Sequence, residues 1–116
     1  MKRACRIDAF EAAHRHRAAE RKAVALPLAL AALRALEARG IRAWVIGSLA
    51  KGRFTSTSDV DFAVDCSRDR EYEAFRAIED AMGDFPFHMV PCSRIAEDAK
   101  PYFMEGAVDA PGLSAR

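Results

Sequence analysis

The sequence predicts a small domain of the α/β or α+β class, in which helices pack on a short sheet. Three observations predict it: three short β-type runs alternate with helical patterns, residues 6–39 are rich in helix formers, and the chain has 116 residues. A chain of this length buries roughly two thirds of its unfolded surface, enough for one modest core. The composition, 51% hydrophobic and 30% charged, excludes a disordered chain.

The first third of the chain predicts helix. Residues 6–39 contain one strong helix breaker, Pro27. Because proline suits the first turn of a helix, we predict one helix that ends near Val24 and a second that begins near Leu26 or Pro27. A single kinked helix is the alternative. Gly40 is placed to end the helix. Four leucines with 4-3-3 spacing share one face of the second helix: Leu26, Leu30, Leu33 and Leu36.

Three β-type runs follow. Residues 41–46 form a short apolar run that ends at Gly47. Val60, Phe62 and Val64 alternate with Asp61 and Asp65, as in a half-buried strand. Residues 85–90 are the third strand candidate, and Pro91 bounds it.

Two further helices are predicted between and after these strands. Residues 69–82 fit a helix with one apolar stripe formed by Tyr72, Phe75, Ile78, Ala81 and Met82. Residues 93–104 fit a last helix, with Ser93 as its cap. We expect residues 110–116 to fray. The aromatic side chains expected in the core are Trp44, Phe62, Phe75 and Phe87.

We predict a single domain with an N-terminal helical extension (1–25), a folded core (26–108) and a flexible tail (109–116). Charge is distributed unevenly, because residues 1–39 carry a net charge of +5 and residues 40–116 one of −4. The basic half suits a solvated helix face, the favoured interpretation, or contact with nucleic acid or an acidic protein surface.

Cysteine usage and hydropathy predict the compartment. The three cysteines lie far apart, form no C-x-x-C pair and are odd in number, which argues against a zinc site or a disulfide framework. No run approaches about 18 uncharged apolar residues, and the first residues lack the apolar segment of a secretory signal. We therefore expect a reduced, cytoplasmic protein without a membrane span.

The most informative segment begins at a glycine after the first strand. Gly47-Ser48 fits a tight turn, where glycine allows a ligand to approach the backbone and successive N–H groups can hold phosphate oxygens. Ser48 adds a hydroxyl group, and Lys51 and Arg53 add positive charge nearby. The pattern predicts a phosphate-binding turn.

A pair of acidic residues follows after ten intervening positions. Asp59 and Asp61 lie two apart on a predicted strand, so both carboxylates point to one face. Two adjacent carboxylates repel unless a cation compensates, and Mg²⁺ commonly takes one or two carboxylates together with substrate oxygens. Each half of the motif alone is weak, but together they favour a phosphate-and-metal site.

The pattern GS-x₁₀-D-x-D followed by apolar residues resembles the signature of the DNA polymerase β-type nucleotidyltransferase superfamily, and most closely its minimal nucleotidyltransferases (MNT domains). The resemblance covers about residues 28–108. It implies the palm-like nucleotidyltransferase fold, a small mixed sheet of about three to four strands flanked by helices. It also implies that Gly47 and Ser48 hold a triphosphate and that Asp59 and Asp61 bind Mg²⁺.

The resemblance further implies Mg²⁺-dependent transfer of a nucleoside monophosphate, AMP from ATP, to a hydroxyl group. Lys51, Arg53 and Ser58 join the expected nucleotide-binding set. Small members of this family are frequently antitoxins whose partner is a HEPN-domain toxin, which they adenylylate or simply bind. Direct nucleic-acid binding and a membrane partner are not expected, and a homo-oligomer stays open. The alternative is a binding module that keeps the fold but not the chemistry.

One position departs from the family pattern. A third carboxylate is usual on the next strand, but here that strand reads Phe87-His88-Met89-Val90, with His88 at the expected place. We therefore include His88 with Asp59 and Asp61 as a candidate catalytic residue. A histidine can serve as a weaker ligand or as a base near neutral pH, or it can mark reduced activity.

Overall fold

A mixed sheet and one long helix dominate the computed structural model, which describes residues 2–116 and the side chains of residues 8–116. The elements, in chain order, are α1 (Lys2–Ala38), β1 (Arg42–Ile46), α2 (Gly47–Ala50), β2 (Val60–Asp65), α3 (Glu71–Met82), β3 (Phe87–Pro91), α4 (Lys100–Phe103) and α5 (Ala110–Ser114). Short 3₁₀ turns precede α3 and follow β3. The three strands lie where the sequence predicts them.

The sheet has three strands in the order β1-β2-β3, with β2 in the centre. β1 and β2 are antiparallel, whereas β2 and β3 are parallel and are connected through α3, the crossover that a parallel pair requires. The expected small mixed sheet flanked by helices is confirmed. Its register sets Asp61 of β2 between Ile46 at the end of β1 and His88 of β3.

The prediction of two N-terminal helices is wrong, because α1 is one continuous helix with Pro27 inside it. The alternative of a single helix is therefore the one observed. A proline removes one backbone hydrogen bond and costs about 3 kcal/mol or more in a helix. Packing offsets this cost, since residues on both sides of Pro27 belong to one face that the body of the domain covers. None of the helices in residues 2–116 combines the length and apolar character needed to span a membrane.

The covered face of α1 is formed mainly by alanine. Its fully or almost fully buried residues are Ala25, Ala29, Ala32, Leu33 and Leu36. Of the predicted leucine stripe, Leu26 and Leu30 are therefore only half-buried. Small side chains allow the helices to approach closely, and α3 meets α1 with two buried alanines of its own, Ala74 and Ala77.

α1 also extends beyond the body of the domain. From residue 8 to residue 20 nearly all side chains are exposed, including Phe10. At 37 residues the helix is about 55 Å long, close to the 59 Å longest dimension of the molecule. We call residues 8–20 the arm of α1. Within the predicted N-terminal extension, it is the described part whose side chains are almost all exposed.

The predicted apolar stripe of α3 is partly wrong. Ile78 and Met82 are buried as expected, but Tyr72 is 74% exposed and Phe75 37% exposed. The alanine face of α1 requires small side chains opposite it, and this turns the two aromatic residues away from the interface. Phe75 instead lies at the margin, with its ring 5.3 Å from that of Phe87.

The predicted aromatic core has a similar outcome. Phe62 on β2 is fully buried, as expected. Trp44 and Phe87, which lie on the edge strands β1 and β3, are only half-buried. The guanidinium of Arg42 lies over the exposed side of Trp44, 5.3 Å from the ring centroid.

The C-terminal region differs from the sequence prediction at two places. Instead of a helix over residues 93–104, α4 spans only Lys100–Phe103, because Pro101 favours the first turn of a helix. The residues expected to fray form α5, whose N-cap Asp109 accepts a hydrogen bond from the Gly112 N–H. Leu113 of α5 is buried, and Arg116 donates to the Ala50 carbonyl at 2.8 Å.

Candidate active site

The site is built around the turn at the end of β1. Gly47 has φ +72°, a left-handed conformation that favours glycine. The amide of Lys51 donates to the Gly47 carbonyl at 3.0 Å, and that of Arg53 donates to the Ser48 carbonyl at 2.8 Å. Leu49 is buried beneath the turn and anchors it in the core.

Gly47 also makes room for the acidic residue on the neighbouring strand. A Cβ atom added to Gly47 would clash with Oδ2 of Asp61 and lie 3.3 Å from its Cγ. The φ angle therefore favours glycine, and any side chain here would have to displace the Asp61 carboxylate. The predicted phosphate-binding turn and the predicted metal-binding carboxylate are thus brought into direct contact.

The two predicted carboxylates and the histidine form one cluster. Nδ1 of His88 lies 3.3 Å from Oδ1 of Asp61 and 3.9 Å from Oδ2 of Asp59. The parallel register of β2 and β3 explains this, since Asp61 and His88 are direct partners. About a third of each carboxylate side chain is exposed, so the cluster is open to a ligand.

Opposing effects act on the pKa of the Asp61 carboxyl. Burial raises the pKa of the Asp61 carboxyl above its ordinary value, and the nearby Asp59 carboxylate acts in the same direction. The hydrogen bond and the charge of His88 act against them. An ionised Asp61 therefore lies in a place that a cation would stabilise.

A basic residue that sequence reasoning missed reaches this cluster from α1. Nε of Arg21 donates to the Ser58 carbonyl at 2.8 Å, and its guanidinium lies 3.7 Å from Oδ1 of Asp59. The same guanidinium stacks over the Phe85 ring at 4.4 Å. Arg21 precedes Pro27, so this contact depends on the continuity of α1. No local sequence pattern predicts it.

The other predicted nucleotide-binding residues, Lys51, Arg53 and Ser58, have different surroundings. Lys51 lines a cavity together with Gly47 and Asp61. The side chain of Arg53 is exposed outside it. The Ser58 hydroxyl is engaged within its own loop, where it accepts from the Thr55 amide at 2.9 Å.

That cavity has a volume of about 280 Å³. Its lining residues are Ile46, Gly47, Lys51, Asp61, Val90, Tyr102 and Phe103. The two aromatic residues come from α4, which sequence reasoning did not connect with the site. A larger cavity of about 400 Å³ lies between α1, β1 and α5, and none of the predicted site residues lines it.

The donor set determines which metal the site could hold. Among the side chains that the structure describes, no three His, Cys, Asp or Glu residues converge as a complete metal site. Asp59 and Asp61 supply a two-carboxylate set on one strand. Mg²⁺ usually takes one or two carboxylates and completes its shell with water and phosphate oxygens. The pair therefore fits Mg²⁺ that arrives with a nucleotide.

A mixed α+β domain whose glycine turn contacts one carboxylate of an acidic pair is an arrangement suited to handling phosphoryl groups. The nucleotidyltransferase domain family model matches residues 28–108, the span over which the sequence resembles that superfamily. The match covers more than half of the chain, and the chain belongs to the nucleotidyltransferase domain family. This membership supports a transferase with nucleotidyl transfer activity. No curated protein and no solved structure matches the chain significantly.

Proposed function

We propose that the chain is a Mg²⁺-dependent adenylyltransferase that transfers AMP from ATP to a hydroxyl group of a protein partner. We further propose that this partner is a HEPN-domain toxin and that the chain acts as its antitoxin. The observation that supports the transfer most directly is the contact between the Gly47 turn and Asp61. It sets a phosphate-binding backbone beside a carboxylate that suits a metal.

In this proposal each residue has a distinct role. The backbone of Gly47 and Ser48 holds the triphosphate, while Lys51 supplies positive charge from the cavity wall. Asp59 and Asp61 would hold Mg²⁺, which would supply positive charge to offset the charge that develops on the phosphate oxygens. The acceptor hydroxyl oxygen bonds to the α-phosphorus, and the bond to the bridging oxygen breaks to release pyrophosphate.

His88 receives the proton of the acceptor hydroxyl. Nδ1 of His88 lies 3.3 Å from Oδ1 of Asp61. In the tautomer that carries its hydrogen on Nδ1 and donates it to Asp61, Nε2 is the ring nitrogen left to accept that proton. This assigns to His88 the basic part of the role that the family's usual third carboxylate plays.

A second candidate function is a binding module that neutralises its partner by contact alone. The replacement of the third carboxylate by His88 favours it, whereas the retained Asp59 and Asp61 pair favours the enzyme. The test is to incubate the chain with Mg²⁺, ATP labelled at the α-phosphate, and the product of the neighbouring gene. Labelled partner supports the enzyme, and a stable complex without label supports the binding module.

Replacement of His88 tests whether it is the catalytic base or a sign of reduced activity. If it is the base, His88→Ala lowers the single-turnover rate of transfer by about a hundredfold or more, and His88→Asp restores much of that rate. The exposed His16 of the arm gives a matched control, and His16→Ala should leave the rate unchanged. A full rate in His88→Ala would contradict the assignment of His88 as base.

Arg21 is a positioning residue, since it acts through Ser58 and Asp59. We expect Arg21→Ala to lower the transfer rate about 10- to 100-fold and to raise the Mg²⁺ concentration for half-maximal rate. Arg21→Lys keeps the charge but loses the fork that reaches both partners, so it should restore the rate only in part.

The exposed Arg17 provides the control for Arg21, because it lies one turn earlier on the same helix. Arg17→Ala should change neither the rate nor the Mg²⁺ dependence. A purely structural role for Arg21 would lower the melting temperature while the Mg²⁺ dependence stays as in the wild type, and that result would contradict the positioning role.

A further inference from the structure

Two exposed aromatic side chains on α4 stand beside the catalytic cluster. Tyr102 is 70% exposed and Phe103 40% exposed, and their rings meet edge to face at 5.9 Å. Both line the cavity that contains Gly47 and Asp61. Large apolar surface left open next to polar functional groups is typical of a ligand-binding site.

Lys51 connects this aromatic pair to the phosphate-binding turn. Its ammonium nitrogen lies 5.2 Å from the centroid of the Tyr102 ring, within the range of a cation–π interaction. The residue belongs to the same turn as Gly47, since its amide donates to the Gly47 carbonyl. The cavity is therefore lined both by aromatic side chains and by the turn proposed to hold the triphosphate.

The size of the cavity limits what it can take. Its volume of about 280 Å³ is slightly below the roughly 300–1,000 Å³ typical of small-molecule sites. It can hold a part of a nucleotide, while the remainder extends over the open cluster of Asp59 and His88. The apolar walls, Ile46 and Val90, suit a flat ring system.

We propose that this cavity is the nucleobase subsite and that Tyr102 stacks on the base. The inference rests on the proposed function, since it takes the triphosphate to lie at the Gly47 turn. The polar side chains that line the cavity are Lys51, Asp61 and Tyr102, and the first two are engaged with the phosphates and the metal. Recognition is thus by stacking, which accepts every base. The ligand class is a nucleoside triphosphate, of which ATP is the one that the proposed function uses.

The test compares Mg²⁺-ATP with inorganic tripolyphosphate, which carries the phosphates without the base, by titration calorimetry. The wild type should bind ATP about tenfold more tightly than tripolyphosphate. Tyr102→Ala should abolish this difference by weakening ATP alone, and Tyr102→Phe should keep it. Tyr72→Ala is the matched control, because Tyr72 is a comparably exposed tyrosine outside the cavity.

The outcomes distinguish this inference from the proposed function. Wild type that binds tripolyphosphate as tightly as ATP overturns the base subsite alone. The base subsite is also overturned if Tyr102→Ala binds ATP as tightly as the wild type does. The same holds if this variant loses affinity for ATP and for tripolyphosphate to the same extent. Full ATP affinity with loss of transfer in Tyr102→Ala also overturns it, in favour of an acceptor site. Wild type that binds neither ligand overturns the proposed function and the subsite together.

Discussion

Gly47→Ala is expected to abolish nucleotidyl transfer and to destabilise the fold. Alanine at φ +72° costs about 1–2 kcal/mol, and its Cβ would displace the Asp61 carboxylate. Because a displacement of about 1 Å at a reacting centre can cost a hundredfold in rate, we expect at least that loss. Chemical denaturation and the labelled-ATP assay measure the two effects separately.

The chain contains a matched control for this substitution. Gly52 has almost the same φ angle, +73°, but a Cβ added there meets nothing within 4 Å. Gly52→Ala should therefore lose a similar free energy of unfolding while it retains transfer. If Gly52→Ala is as inactive as Gly47→Ala, backbone strain alone explains the loss, and the argument from the Asp61 contact is wrong.

Asp61→Asn is expected to lower the transfer rate by about a hundredfold or more, since Asp61 is a proposed metal ligand and such a ligand contributes several kcal/mol to transition-state stabilisation. The same substitution should not reduce stability. Burial raises the pKa of Asp61, so the ionised carboxylate is a cost to the folded state near neutral pH. The neutral amide should leave the free energy of unfolding equal or higher, even after the hydrogen bond with His88 is weakened.

Asp65 serves as the control for Asp61. It lies on the same strand, but it faces solvent and its nearest charged partner is Arg42, 3.9 Å away. Asp65→Asn should retain full transfer. Retained transfer in Asp61→Asn would remove Asp61 from the catalytic set, and a strong loss of stability in that variant would show that the carboxylate has a structural role instead.

Local patterns predicted the elements on which the site is built. Alternation placed β2, and the glycine after an apolar run placed the turn at Gly47. The family pattern placed His88 on β3, and the parallel register does bring it beside Asp61. These predictions succeed because each depends on residues close together in sequence or on a short motif.

The failures share another cause, which is packing between distant segments. Pro27 is a local break signal that the covered alanine face of α1 overrides. Tyr72 and Phe75 fit a helical stripe, yet the interface prefers the alanines beside them. Arg21 and Tyr102 join the site only through the tertiary fold. The capped helix at Asp109 is different, since its Asp-x-Pro signal was present in the sequence.

The arm of α1 is expected to unfold locally more easily than the rest of the helix. A single uncovered helical segment of this length is marginal in water, whereas residues from Ala25 onward are held by the core. Arg21, bonded to a loop 37 residues further along the chain, marks the border between these regimes. We therefore expect amide hydrogen exchange along α1 to change from fast to slow near this residue. If a ligand bound at Asp59 holds the Ser58 loop more tightly, we expect this boundary to move toward the N-terminus.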